Sequence, residues 1–302
     1  MGRILAAADI GSNTAHILIA EAQRSGLKRL VNESDWLSLG EIVGREGRIP
    51  DALATRLQET LKRFRRLSQS FRAEELYVFA TEAMRRADNC DEILAQVKKS
   101  TGLKVDLISP LREAQLGLRG ALEDTNPHGT TLMVETGGGS VQAAWVKEAA
   151  LHESVSMRIG SGSLIAASGL LQPASHAQIQ RVTKLIMDEL AGLDNHEQPA
   201  HIISCGGVAR GIWRALHPDG DRRLHIEELR FLAWDTARLS LGQIVARYGV
   251  KAKRAATLLP GSLVYSAFLE KFGLEEMEVS QFGVREGALL EMADGGVMAC
   301  PA

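Results

Sequence analysis

Cysteine is scarce: Cys90, Cys205 and Cys300 are the only three in 302 residues, and no two stand at a metal-ligating spacing. An odd, scattered set fits a reducing compartment, so a cytoplasmic location is expected. The histidines are also without a paired metal spacing. No apolar stretch nears the roughly 20 residues of a membrane span, so no membrane partner is expected. The first apolar run meets Asp9 almost at once, too early for a secretory signal. Charge of one sign is lacking as well. The net charge of −2 gives no electrostatic case for duplex nucleic acid. Low-complexity segments do not occur.

What is there is ordinary globular composition, 45% hydrophobic and 24% charged, in a chain long enough for two domains with their own cores. Runs at Ile4–Gly11, Ala15–Ala22 and Lys28–Leu39 read as a strand meander. Leu53, Leu57, Leu61, Phe64 and Leu67 recur at helical spacing over residues 51–71. A short strand at Leu76–Ala80, a helix at Asp91–Ser100, a strand at Val105–Ile108 and a helix at Arg112–Leu122 follow. The turn formers of Asp124–Gly129 read as a linker. The second half repeats the order, with strands at Thr131–Glu135, Val141–Val146 and Leu151–Ile159. Helices follow at about 161–170 and 174–193, and a strand at Ala200–Ser204 leads into a helix to about Leu216. More helices run from Ile226 to Phe272, then a strand at Met277–Ser280 and a helix at Val284–Met292. An α/β fold of two domains, 1–124 and 125–302, is expected, with the last helix able to pack back on the first.

Two glycine-rich turns about 125 residues apart carry the functional signal. They are Asp9-Ile10-Gly11-Ser12-Asn13-Thr14 and Glu135-Thr136-Gly137-Gly138-Gly139-Ser140. Each joins two strand-like runs and begins with an acid. Glycine lets a backbone approach phosphate oxygens closely. The bare N–H groups then cradle the anion, with Ser or Asn as a further donor. The acids suit a divalent cation beside the phosphates. Taken singly, either turn reads as a plain hairpin. The matched pair suggests two related domains facing one polyphosphate-like ligand.

Further segments extend the pattern. They are Leu39-Gly40-Glu41, Gly47-Arg48-Ile49, Ala80-Thr81-Glu82-Ala83-Met84-Arg85, Glu113-Ala114, Gly206-Gly207-Val208-Ala209 and Gly283-Val284-Arg285-Glu286-Gly287. With the first turn, these resemble, in order, the motifs of the exopolyphosphatase / guanosine pentaphosphate phosphohydrolase family. The resemblance covers essentially the whole chain. It implies two ribonuclease-H-like domains of the actin, sugar kinase and Hsp70 superfamily with an interdomain cleft. Two departures fall near the second turn. The family pattern Asp-hydrophobic-Gly-Gly-Gly-Ser-Thr-Glu becomes Glu135 to Gln142 here, with a carboxylate lost at Gln142. Ala256 replaces an acid common after Arg-Ala.

The resemblance implies roles. Glu113 is the general base that activates water, although a glutamate in a first helical turn is also favoured by the helix dipole alone. Gly11, Ser12, Asn13, Gly137, Gly138, Gly139, Ser140, Gly206 and Gly207 cradle phosphate. Arg85 is the phosphate-binding arginine, since a guanidinium meets phosphate bidentately. Arg158 and Ser161 are further phosphate contacts, with an edge-strand surface charge the alternative for Arg158. Asp9 and Glu135 are Mg²⁺ or Mn²⁺ ligands, or else strand-end acids in turns. Gln142 is a modified site, able to bind through its amide oxygen but not to act as a base. His16 stands where many members have Arg, facing phosphate or serving as an ordinary strand histidine. Arg285 and Glu286 are expected to pair with each other structurally. Lys62-Arg63-Phe64-Arg65-Arg66 reads as a solvated face or, more sharply, as a polyanion track.

The implied activity is Mg²⁺-dependent release of orthophosphate from the end of inorganic polyphosphate, with conversion of pppGpp to ppGpp in the same class. The sequence stops soon after Gly287 without the helical HD-like domain of longer members. That weakly favours shorter polyphosphates or nucleotide-like substrates. A polyphosphate or ppGpp sensor without catalysis is the alternative. A sugar or acetate kinase of the same fold is weaker, because Glu113 fits the hydrolase pattern. A homodimer is compatible with the fold and specified by no motif.

Overall fold

The computed structural model describes residues 2–24, 26–296 and the backbone of 300–301. The chain divides by packing into Met1–Glu123 with Phe282–Ala302, and Asp124–Gln281. The second expected domain, 125–302, thus loses its closing segment to the first unit. The reason is burial around the last helix, whose residues from Val284 to Leu290 are all buried, so it needs partners on several sides.

In the first unit, β1 (Arg3–Ile10), β2 (Thr14–Gln23) and β3 (Gly26–Trp36) form an antiparallel meander. β4 (Glu75–Ala80) joins β1 in parallel, and the two-residue β5 (Asp106–Leu107) pairs with β4. The helices are α1 (Leu39–Glu46), α2 (Asp51–Ser70), α3 (Glu82–Arg86), α4 (Cys90–Thr101) and α5 (Pro110–Ala121). α1 and α3 were not expected. Both are short, and α1 opens from Ser38 in the left-handed region at φ 55° rather than from a regular cap.

The second unit repeats the plan. β6 (Thr131–Thr136), β7 (Val141–Lys147) and β8 (Ala150–Met157) are antiparallel, and β9 (His201–Cys205) lies parallel to β6. An unexpected three-residue strand, β10 (Arg223–His225), pairs with β11 (Glu276–Val279), which adds to β9. The helices are α6 (Ser161–Ser168), α7 (His176–Leu190), α8 (Gly206–Leu216), α9 (Ile226–Ala237), α10 (Leu241–Tyr248) and α11 (Ala252–Lys271). Both units are therefore α/β with a mixed sheet. The strands β1, β4, β6 and β9 are nearly continuous buried runs, as strands covered on both faces are.

α12 (Val284–Ala293) belongs to the first unit and crosses α5 at glycines. A Cβ on Gly287 would sit 1.9 Å from the Leu116 carbonyl oxygen, and one on Gly120 would sit 2.2 Å from that of Gly283. Backbone-to-backbone contact of this kind admits no side chain. The Gly283–Gly287 segment therefore holds α5, and with it Glu113, at a set distance.

In the second unit the two chain ends meet at one carboxylate. Asp124 Oδ1 accepts from Ser280 Oγ at 2.6 Å, while Oδ2 accepts from the Gln281 N–H at 2.9 Å and from Arg222. Among the described residues no helix is long and apolar enough to cross a membrane.

Candidate active site

The two glycine turns are built alike. Gly11 N–H donates to Thr14 O at 3.0 Å, and Gly137 N–H to Ser140 O at 2.9 Å. Asp9 stands opposite His16 on β1 and β2, and Glu135 stands opposite Gln142 on β6 and β7. The internal repeat expected from the sequence thus extends to strand register.

Helix starts hold each turn. Ser12 is buried, and its carbonyl accepts from Gly40 N–H at 2.7 Å, while Asn13 O accepts from the N–H groups of Leu37 and Ser38. In the second turn, Ser161 N–H donates to Gly137 O, and Gly162 and Ser163 N–H donate to Gly138 O. Ser163 Oγ donates to Gly139 O at 2.7 Å. Gly160 allows this contact, because a Cβ there would lie 2.4 Å from Ser140 N. Ser161, expected to meet phosphate, is fully buried with its hydroxyl donating to Gly137 O at 3.2 Å. Its donors serve the loop.

In the first unit, α5 begins at the cap Ser109, whose Oγ accepts from Arg112 N–H, with Pro110 in the first turn. This start delivers Glu113 to Arg85 on α3. Arg85 Nη1 and Nη2 both donate to Glu113 Oε2, each at 3.1 Å. Nη1 also donates to Ile108 O at 2.7 Å, and Nη2 to Glu82 Oε2 at 3.0 Å. Burial pushes the Glu113 carboxyl up, Arg85 pulls it down, and the charges of Asp9 and Glu82 push it up again, leaving it at about 7. That is the range where a carboxylate works as a base at neutral pH.

Asp9 is a different acid. Burial disfavours its charge, but the Arg285 guanidinium and the His16 ring outweigh that and hold it below the usual carboxylate range. Arg285 Nη1 lies 3.9 Å from Asp9 Oδ1. His16 Nδ1 is 3.5 Å from the same oxygen and 2.9 Å from Thr14 Oγ1. Asp9 Oδ1 is buried and accepts no hydrogen bond. The expected Arg285–Glu286 pair is replaced by two others, because neighbours in a helix point different ways. Arg285 faces Asp9, and Glu286 takes Arg29 at 2.9 Å.

In the second unit, Glu135 lies against Gly206, where a Cβ would meet Glu135 Cγ at 3.0 Å and where φ is +86°. Both the contact and the left-handed backbone call for glycine. Gln142 is buried, donating from Nε2 to Ser156 Oγ at 2.9 Å, and its Oε1 is buried without a hydrogen-bond partner. Arg158 is exposed just beyond β8. Arg254 is a residue the sequence reading did not assign. Its Nη1 would stand 2.7 Å from a Cβ on Gly207, so a cation covers the start of α8. The neighbouring Arg-Ala pattern was the only signal for it.

The basic run on α2 is partly spent internally. Arg65 donates to Thr101 O, and Arg63 lies 3.7 Å from Asp35. An apolar cavity of about 530 Å³ lies among α7, α9 and α11, lined by Ile186, Trp234 and Leu263 among others. Arg230 at its edge is paired with Glu227 and Glu270. Such walls suit no polyphosphate.

Residues 18–295 match the model of the Ppx/GppA phosphatase family. The chain belongs to this family. It is 24% identical over 299 residues to "Exopolyphosphatase 1" of Mycobacterium leprae, covering 95% of this chain and 88% of that one. The Mycobacterium tuberculosis protein of the same name is 25% identical over 304 residues, covering 95% and 87%. Among solved structures, the Aquifex aeolicus Ppx/GppA family member has a TM-score of 0.83 at 24% identity, covering 98% of this chain and 99% of that one. An exopolyphosphatase from Cytophaga hutchinsonii has a TM-score of 0.89 at 22% identity, covering 99% and 100%. These likenesses bear out the expected α/β fold, with a mixed sheet and helices in each unit. They also bear out the family read from the motifs of this Ppx/GppA chain.

Proposed function

We propose that this family member hydrolyses the terminal phosphoanhydride of inorganic polyphosphate and releases orthophosphate, with pppGpp as a second substrate of the same chemistry. The observation that carries the reading is Glu113, a largely buried carboxylate brought to about 7 and fixed by Arg85.

Water gives a proton to Glu113 as its oxygen attacks the terminal phosphorus. The bond from that phosphorus to the bridging oxygen breaks, and the shortened chain leaves as the anion. Glu113 then returns its proton to solvent or product. The glycine turns supply N–H donors for the phosphate oxygens, where negative charge is held. Within the second unit, the Gly137–Ser140 turn and Gly206-Gly207 are the candidates for phosphate contact.

Mg²⁺ or Mn²⁺ fits the donor set in one mode. Among the described residues no cluster of three His, Cys, Asp or Glu could hold a metal. Mg²⁺ commonly uses one or two carboxylates plus substrate oxygens. Asp9, held ionised with a buried Oδ1 that accepts no hydrogen bond, suits that role, with Glu135 as the second-unit counterpart. When bound, the cation would offset charge on the phosphate oxygens.

Gln142 favours a second reading, a polyphosphate or ppGpp sensor. A buried carboxamide stands where the family pattern has a carboxylate, and an amide takes no proton from water. Orthophosphate release from polyphosphate and from pppGpp, with Mg²⁺ or Mn²⁺, separates the two. Turnover that Glu113→Gln abolishes supports the hydrolase, and binding without turnover supports the sensor.

A further inference from the structure

Arg85 is the residue expected to grip phosphate, yet its donors are committed elsewhere. Each terminal nitrogen of a guanidinium carries two N–H groups. Nη1 gives its pair to Ile108 O and Glu113, and Nη2 gives its pair to Glu82 and Glu113. Only the Nε–H is left outside this set. Glu82 and Arg85 are an i,i+3 pair on α3, with side chains 14% and 15% exposed, so water screens their attraction weakly. Glu82 also adds a negative charge to a region that already holds Asp9 and Glu113. An arriving phosphate therefore meets three carboxylates and an arginine neutralised twice.

We propose that Glu82 is a specificity-determining residue that withholds Arg85 from phosphate and so weakens the hold of the first unit on short polyphosphates. The inference rests on the reading of that unit as a phosphate site. A short substrate depends on few contacts, and the loss of one charge-assisted donor costs it a large share of its affinity. A long polymer spreads its affinity over more contacts and loses a smaller share.

Removing Glu82 should produce a gain. In Glu82→Ser, one Nη2–H of Arg85 is released toward phosphate and one repelling charge disappears. In Glu82→Gln, the charge disappears while an acceptor for Arg85 remains. The probe is imidotriphosphate, whose nitrogen bridges resist hydrolysis, so that binding is read apart from turnover. Calorimetry with excess Mg²⁺ should give a Kd about tenfold lower for Glu82→Ser than for wild type, and a smaller drop for Glu82→Gln. In competition, medium-chain polyphosphate should gain less than imidotriphosphate. Wild-type binding that neither variant tightens overturns the role of Glu82 and leaves the phosphate-site reading standing. Absence of binding in wild type and both variants overturns that reading, and the role of Glu82 with it.

Discussion

Arg85 turns both terminal nitrogens toward a single oxygen of Glu113, at 3.1 Å each. The pair fixes the direction of the carboxylate and stabilises its charge against burial. Glu113 must be ionised to accept a proton, so turnover should rise with pH through about 7. Arg85→Ala removes the group that pulls the carboxyl down, and the acid limb of kcat/KM should move to higher pH. An Arg that only bound phosphate would raise KM and leave the limb in place. A pH–rate profile of both proteins distinguishes the two.

The crossing of α5 and α12 should be intolerant of a single methyl. Gly287→Ala puts a Cβ 1.9 Å from the Leu116 carbonyl oxygen. The helices must separate, at a cost of about 2–4 kcal/mol. Because α5 carries Glu113, urea unfolding should show lower stability and residual turnover should fall as well.

Asp124 ties Ser280, Gln281 and Arg222 to the start of the second unit. Asp124→Ala should cost about 2–4 kcal/mol, since removing a partly buried acceptor deprives several donors at once. Asp124→Asn should cost less, as one oxygen remains. Denaturant melts of the two variants test the order.

Gln142 faces Glu135 across β6 and β7. Gln142→Glu places a second carboxylate beside the first, and without a cation the two should repel. The Mg²⁺ concentration for half-maximal turnover should fall several-fold, and the melting temperature should depend on Mg²⁺ more steeply than in wild type. Titrating Mg²⁺ in both assays measures this.

Much of this was legible beforehand because it is local. An apolar run, an acid at its end and a glycine turn are short-range signals, and they located Asp9, Gly11, Glu135 and Gly137 on their hairpins. The helical spacing of Leu53 to Leu67 likewise gave α2. Tertiary facts were hidden. The expectation that Val284–Ala293 could pack back on the first domain did not name its partners, β1 and α5, which lie far away in sequence. Ser161 read as a free donor because the loop carbonyl that takes its hydroxyl is 24 positions upstream. The motif at Arg85 gave the residue but not its engagement with Glu82 and Glu113, which depends on how α3 and α5 meet. Arg254 carried no turn or acid to mark it.

Orthophosphate release from medium-chain polyphosphate with Mg²⁺, by wild type and by Glu113→Gln, tests the central claim most directly. Release by wild type that falls about a hundredfold or more in Glu113→Gln, with an unchanged circular dichroism spectrum, is the expected result. Equal release by both proteins, or none from a wild type that still binds polyphosphate, would contradict the assignment of Glu113 as the base of a phosphoanhydride hydrolase.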